Sequence, residues 1–391
     1  RVLFRSSSLH SASWDCIIID EVSKLKGGAS GRPTQIYRDI EHFLHVEQPQ
    51  AFRYFLSGTP AENRPEEVWA YLHLFDPDRF DNFYAFKNAF CGINPRTGKL
   101  TFSSEKLLNL LGGNIIRMTV ENMGLTGMPS MEDPNWFNSS EFYLTLDRSS
   151  SVGQAYASLA KGLLAKLDDN HALAPRMVLE EILRMRQLLS AGPEFTYSKT
   201  DYDINGNPLP SKRVTVNLEP PYPKIEAAEQ LIASLQGEGQ QVVVFSCFNE
   251  PLTNLQRSLD RVGFYTSGLL TGDTPIQTRT QAVQDFQNGS CDVLLINKKA
   301  GAQGLNLQKS PQWEGGSSHV IHLDRWWNPA VERQANGRVV RMDTKAPCTA
   351  QYLHVENTVD DYMKDMVDSK DEAVGNLDRS LLASTLERFL D

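Results

Sequence analysis

Two carboxylates, Asp20 and Glu21, follow directly on the apolar run Cys16-Ile17-Ile18-Ile19. Such a run reads as a buried parallel strand, and a parallel sheet presents its ligand site at the carboxyl ends of its strands. An acidic pair there suits Mg2+, often held through water, and the placing of a second water for attack on a γ-phosphate. By itself the pair also reads as a solvated acidic turn. Three further stretches carry candidate chemistry. Ser57, Gly58 and Thr59 follow a second strand-like run, Phe52 to Leu56. Small and hydroxylated residues let a backbone come close to a neighbouring site, although any turn could carry them. Lys298 and Lys299 precede Gly301 and Gly304 in "KKAGAQGLNL". Cations and exposed N–H groups at a helix start suit the phosphates of a nucleotide or of a nucleic-acid strand; a plain strand-to-helix turn fits the same residues. Arg338 and Arg341 are three apart in "NPAVERQANGRVVR". On a helix they share one face and suit a polyanion, as would a basic surface helix.

Metal cages are not expected. His42/His45 and His319/His322 are pairs at i, i+3, and the second lies in a strand-like run that splits the rings onto opposite faces. The five cysteines, Cys16, Cys91, Cys247, Cys291 and Cys348, are scattered without zinc or redox spacing. They read as buried thiols of a reducing compartment, cytoplasmic and nucleoid-associated or, in a eukaryote, nuclear.

The elements that must position these groups follow from length and texture. At 391 residues, 40% hydrophobic and 22% charged, the chain is expected to fold as two or three globular domains. No apolar run approaches the roughly 20 residues of a membrane helix. A net charge of −9 excludes a broadly basic nucleic-acid coat but not a local basic groove. Val68, Leu72 and Phe75 predict a helix from about Pro65 to Phe75, closed by Pro77. Residues 78–140 look irregular. Residues 141–190 look helical, with one stripe at Tyr156, Leu159, Leu163 and Leu167 and another at Leu179, Ile182, Leu183 and Met185–Leu189. Asn205-Gly206 between polar alternating flanks predicts a hairpin, and the proline-rich "LEPPYPK" marks a domain boundary. Beyond it, "QVVVFSCF", "CDVLLIN", "HVIHLD" and "AQYLHV" alternate with helical stretches, which indicates a parallel sheet covered on both faces.

Taken in order, "IIIDE", "LSGTPAEN", "VVVFSCF", "LLTGDT", "AGAQGLNL" and "HLDRWWNPAVERQANGRVVR" resemble the Swi/Snf-type DNA translocases, helicase-like ATPases of superfamily two built from two RecA-like lobes. The resemblance runs from about Trp14 to about Met363 and is weakest between Asp81 and Pro223. It implies an α/β fold of RecA-like parallel sheets with flanking helices. The first lobe would be incomplete (residues 1–140), a helical segment, hairpin and linker would follow (141–221), then a complete second lobe (222–373) and a C-terminal helix (374–391). It implies ATP and Mg2+ as cofactors and double-stranded DNA, contacted mainly through its backbone, as partner. Asp20 and Glu21 match the Mg2+ and water-activating acids, and Ser57, Gly58 and Thr59 the block that couples nucleotide state to DNA. Gly301, Gly304 and Asn306 match a second-lobe block near DNA and the interlobe cleft, with Lys298 and Lys299 beside it. Thr271, Gly272 and Trp327 match blocks at the DNA groove. Gln334, Arg338 and Arg341 match the final block, whose arginines act on the triphosphate. "ILRMRQLLSAGP", residues 182–193, resembles the helix before the lobe linker. The pattern departs at Ser23, Glu62, Ala302, Gly337, Val340 and Asp343, where the family usually has His, Gln, Gly, Asp, His and Gly.

No GxxxxGK[ST] loop precedes the acids. The nearest match, "GINPRTGKL" from Gly92 to Leu100, has the wrong spacing, ends without a hydroxyl and follows the acids, so it reads as a turn. The expectation is therefore a C-terminal part of a longer ATP-dependent translocase, which does not hydrolyse ATP alone and whose first sheet exposes apolar edges unless another polypeptide covers them. Two rival readings remain: a hydrolysis-deficient scaffold that grips DNA or a partner, and a strand-separating helicase of the same superfamily.

Overall fold

A computed structural model describes residues 10–30, 33–58, 65–93, 100–116, 123–124, 127–168, 175–199, 209–263, 266–298, 305–308, 318–342, 344–370 and 379–390. Their contacts form two compact units, one from the described residues up to 116 and one from those beyond.

In the first unit β1 (Cys16–Ile19) and β2 (Phe52–Phe55) pair in parallel, from Cys16 opposite Phe52 to Ile19 opposite Phe55. Alternation sends Ile17, Ile19 and Phe55 toward the core. The other face is open: Ile18 is 64% exposed, Phe52 74% and Tyr54 56%. The strand expected to be buried is thus buried on one side only, because no second layer lies on its outer face among the described residues. Cys16 is exposed as well, against the expectation of a buried thiol. The core under the pair comes from α1 (Gln35–His42), α2 (Trp69–Phe75), α3 (Phe83–Phe90) and α4 (Ser104–Leu111). Thr34 and Asn82 cap α1 and α3 through their side-chain oxygens. Arg53 reaches inward from β2 and donates to the carbonyls of Leu44 at 2.7 Å and Leu74 at 3.2 Å. It thereby satisfies carbonyls that helix ends leave open. β3 (Cys91–Ile93) and β4 (Leu100–Phe102) form an antiparallel pair with Ile93 opposite Leu100. The "GINPRTGKL" stretch therefore begins and ends in a hairpin, not in the strand-to-helix setting of a phosphate loop.

The second unit is built on a six-stranded, wholly parallel sheet in the order β5-β12-β11-β8-β10-β9. Its strands are β5 (Phe137–Leu144), β8 (Gln241–Ser246), β9 (Thr266–Leu270), β10 (Val293–Asn297), β11 (Ser318–His322) and β12 (Cys348–Val355). Both faces are covered, as the apolar runs require. Val243, Phe245, Leu294 and Ile296 pack into one cluster with Phe286; Val242, Val244, Val293 and Leu295 pack into another with Leu252, Leu255 and Leu259. β5 and β9 occupy the two edges and lie outside the strands read from the sequence; the polar "NSSE" of β5 has no core face to announce it. The edge position is why: only strands flanked on both sides and both faces must be apolar throughout.

The remaining elements surround this sheet. α5 (Ser151–Asp168) and α6 (Pro175–Leu189) lead to an antiparallel pair, β6 (Glu194–Lys199) and β7 (Lys212–Asn217), whose Asn205-Gly206 turn lies outside the described residues. Then come α7 (Pro223–Gly237), α8 (Asn249–Val262), α9 (Ile276–Gln287), α10 (Pro329–Asn336), α11 (Val359–Lys370) and α12 (Arg379–Leu390). Tyr156 and Leu163 of the α5 stripe are buried against α11 and α12, with the Tyr156 ring 4.7 Å from that of Phe389. The α6 stripe is rotated from its predicted face: Leu179 and Leu183 are about 40% exposed, while Arg186 is buried. No helix among the described residues is long and apolar enough to cross a membrane.

The Tyr156 hydroxyl, fully buried, accepts the Val359 N–H at 2.6 Å at the start of α11. Tyr156→Phe leaves that amide unpaired in the interior. The expected cost is about 1–3 kcal/mol of unfolding free energy, read as a lowered urea midpoint with unchanged slope.

Candidate functional site

The groups that could do chemistry sit at carboxyl ends of parallel strands, in both units. In the first, Asp20 is exposed directly after β1, and its Oδ1 accepts the Glu21 N–H at 2.8 Å. Glu21 has φ +52°, in the left-handed region. That conformation costs a residue with a Cβ about 1–3 kcal/mol and persists only where the surroundings enforce it. Here they do. The Val22 N–H donates to the Leu56 carbonyl and the Leu56 N–H to the Ile19 carbonyl, both at 2.9 Å, and Val22 is buried. These bonds bring the acids beside Ser57 and Gly58, which lie after β2. Gly58 is exposed with open space where a Cβ would stand. Thr59 and Glu62 lie outside the described residues.

In the second unit a charged network lies at the ends of β8, β10 and β11. Asp324 is its hub, 1% exposed. It accepts the Ser246 hydroxyl at 2.5 Å and the Cys247 N–H at 2.9 Å. Lys298 donates to the Asp324 carbonyl and lies 3.6 Å from Glu332. Arg186 approaches Asp324 Oδ1 to 3.8 Å and donates to the Arg325 carbonyl. Arg325 in turn pairs with Glu332 at 3.0 Å and Glu141 at 3.1 Å, and its guanidinium lies 4.5 Å over the Tyr352 ring. Burial alone pushes the Asp324 carboxyl up. Lys298, Arg186 and the two hydrogen bonds outweigh this and hold it below the usual carboxylate range. Nearby, His322 stacks on Tyr352 at 4.4 Å and its Nε2 lies 2.8 Å from Asn336 Oδ1. Burial, and then the Lys298 charge, keep its imidazole well below its ordinary value, so it stays neutral.

These placements correct the sequence reading at two points. Lys298 does not offer a cation to DNA: its ammonium is fully buried and held by internal acceptors. Arg338 and Arg341 do not share a helix face, because α10 ends at Asn336. Val339 and Val340 both turn into the core, and the Arg338 carbonyl accepts the Leu307 N–H at 2.8 Å instead of continuing the helix. That bond, with Arg341 Nη2 at 3.5 Å from the Leu305 carbonyl, joins the arginine block to the Leu305–Leu307 stretch and so to Asn306, whose side chain is exposed. Arg338 is buried and Arg341 half-buried; Gln334 is half-buried on α10. Thr271 and Gly272 follow β9 in a turn held by Arg279, which donates to the Thr271 carbonyl at 2.9 Å. Trp327 is half-buried, its ring 5.4 Å from the Arg186 guanidinium. Lys299, Gly301, Ala302, Gly304 and Asp343 lie outside the described residues. Among the described residues no cluster of three or more His, Cys, Asp or Glu could cage a metal. Asp324, Glu332 and Arg186 are the members sequence reasoning missed; the available signal was a charge inside the apolar Met185–Leu189 run, which must be paired if buried.

Residues 2–134 match the SNF2-related domain, and residues 223–343 match the helicase conserved C-terminal domain. The chain belongs to the Swi/Snf-type helicase-like family. It is 21% identical to YwqA of Bacillus subtilis, whose name is "Putative ATP-dependent helicase/translocase YwqA", over 93% of this chain and 36% of that one. It is 24% identical to the mouse SWI/SNF-related matrix-associated actin-dependent regulator of chromatin subfamily A member 1, over 94% of this chain and 32% of that one. The chain thus spans about a third of these relatives' length. A solved SWI2/SNF2 ATPase core from Sulfolobus solfataricus in complex with dsDNA aligns over 100% of this chain and 72% of that one, with 19% identity and a TM-score of 0.44.

The neutral His322 sets a pH dependence. Unfolded, the imidazole takes a proton near pH 6.5; folded, it does so only at much lower pH. The unfolded state therefore binds more protons below about pH 6.5, and stability falls there, with a limiting slope of about 1.4 kcal/mol per pH unit from this group. His45, also held low mainly by burial, acts in the same direction. Urea unfolding at a series of pH values is expected to show this loss, and His322→Gln to flatten it by one proton's worth.

Proposed function

We propose that the protein is an ATP-dependent translocase or remodeller acting on double-stranded DNA, with this chain forming part of its motor. The observation that supports it most is the meeting, within each unit, of motif blocks far apart in sequence. Glu21 and Ser57 are brought together by the bonds through Leu56, and Leu305–Leu307 and Arg338–Arg341 by theirs. The first meeting is made by backbone bonds alone, and the second by one backbone bond, Leu307 N–H to the Arg338 carbonyl, together with the Arg341 side chain.

The residues fit a nucleotide with Mg2+. Asp20 is an exposed carboxylate with no cage of further ligands among the described residues, and Mg2+ is characteristically held by one or two carboxylates together with water and substrate phosphates. Asp20 would hold the ion, which when bound neutralises charge on the phosphates. Glu21, fixed in its left-handed conformation, orients the attacking water. Arg338 and Arg341 supply positive charge to the transferring phosphoryl group. Ser57 and Gly58, with Thr59, couple the nucleotide state to DNA, whose backbone the Thr271–Gly272 turn contacts. Contacts of that kind fix register without reading sequence, so the activity is expected to be DNA-dependent and sequence-tolerant.

The test is ATP hydrolysis by the full-length protein with and without duplex DNA. Arg341→Ala is expected to lower the DNA-stimulated kcat by about 10³-fold or more, the scale of an arginine acting on a γ-phosphate. Retained turnover in that variant removes the arginine from the reaction. DNA binding indifferent to ATP, with no turnover by the intact protein, favours the scaffold reading instead.

A further inference from the structure

Arg186 is among the largest fully buried side chains, 2% exposed, and although it lies within the block of residues 182–193 no role was assigned to its charge. It stands on α6 and touches residues more than sixty positions away along the chain. Its Nη2 donates to the Arg325 carbonyl, lies 3.8 Å from Asp324 Oδ1 and 3.7 Å from Cys247 Sγ. Its guanidinium lies 5.5 Å over the Phe248 ring and 5.4 Å over the Trp327 ring. Three of these five contacts fall on one stretch, Asp324 to Trp327; the other two are to Cys247 and Phe248, just after β8. The same stretch is held from the other side: the Trp326 N–H donates to Glu332 at 2.6 Å, and the Arg325 side chain is paired with Glu332 and Glu141. One residue further, Asn328 caps α10 by accepting the Ala330 N–H at 2.9 Å. The stretch is therefore the anchored root of the element that carries Gln334 and leads into Arg338 and Arg341.

A buried guanidinium is a poor stabiliser. Its desolvation costs several kcal/mol, and a well-packed apolar residue of similar volume often serves as well or better. What an apolar residue lacks is direction. Through Nη2 Arg186 bonds a specific carbonyl and faces a specific carboxylate, while its planar guanidinium lies over two rings, a combination that suits a delocalised cation better than a point-charge ammonium. We infer that Arg186 is a positioning residue: from α6 it fixes Asp324–Trp327, and through that stretch it sets where α10 and the arginine block stand. It deepens, and rests on, the reading of Arg338 and Arg341 as groups that act on the nucleotide.

The experiment compares Arg186→Met and Arg186→Lys with the parent in the full-length protein, by hydrogen exchange and by steady-state ATP hydrolysis. Arg186→Met is expected to speed amide exchange across 325–341 by about tenfold or more while leaving β8 and β10 at parental rates. DNA-stimulated kcat is expected to fall about 10–100-fold, the effect of an ångström-scale misplacement, with KM for ATP within about twofold. Arg186→Lys keeps the charge but not the plane that lies over Phe248 and Trp327, so it is expected to recover the melting temperature and only part of kcat. The inference is overturned if exchange rises evenly through the second unit, or if Arg186→Lys restores kcat and melting temperature together, which marks a plain ion-pair partner. Absence of DNA-stimulated turnover in the parent sinks the motor reading alone; the exchange pattern still decides the positioning role.

Discussion

A carboxylate with almost no exposed surface must find its donors and counter-charges inside the protein, and Asp324 finds them on elements that the chain visits at widely separated times. Ser246 and Cys247 come from the end of β8, Lys298 from the end of β10 and Arg186 from α6. Keeping Asp324 ionised in the interior is affordable only while all of these are in place, because removing one partner of a buried pair leaves an uncompensated charge. The consequence is geometric. The ends of the central strands, the root of α10 and the helix α6 cannot drift independently, and the surface they share is where the family blocks of this unit emerge.

The first unit solves a similar problem with backbone bonds and strain in place of charge. Two N–H groups, of Val22 and Leu56, lace the loops after β1 and β2 together. Glu21 is held where a side chain would not go freely, and buried Val22 and Ser23 anchor the turn that follows. Ser23 stands where the family usually has a histidine, and it is 1% exposed, so a compact hydroxyl fills a place with little room.

Two departures around the arginines also have packing reasons. A Cβ on Gly337 would meet the Met131 sulfur at 3.2 Å and the Arg333 carbonyl at 3.3 Å, tighter than ordinary contact, so an aspartate there would have to displace neighbours. Val340 is 6% exposed and packs within the apolar cluster that includes Leu307, Val339 and Cys348, a setting that suits an aliphatic side chain. Both substitutions belong with a chain path that leaves the helix at Asn336. Arg338 then stands on a buried turn and Arg341, half-buried, just beyond it, rather than both on one helix face.

Much of this was legible in the amino-acid sequence, and for a definite reason. Strands β8, β10, β11 and most of β12 are flanked on both sides within a sheet covered on both faces, so their residues must be apolar one after another; that is a local property and can be read locally. The ordered blocks likewise named the family, and placed Asp20 and Glu21 at a strand's carboxyl end. Where burial depends on what lies across the fold, local pattern misleads. β1 is as apolar as β8 yet exposes a face, and the polar edge strand β5 gives no signal. Lys298 looks like a phosphate ligand beside glycines until Glu332 and the Asp324 carbonyl close around it. Arg186 sits in an apolar stripe, and only the folding of residues 324–327 against it shows what it holds. Sequence alone determined which chemistry-bearing residues exist and which strands carry them. Tertiary structure decided which of those charges face solvent and which are spent inside, because the partners that neutralise a buried charge are set by contacts between distant segments.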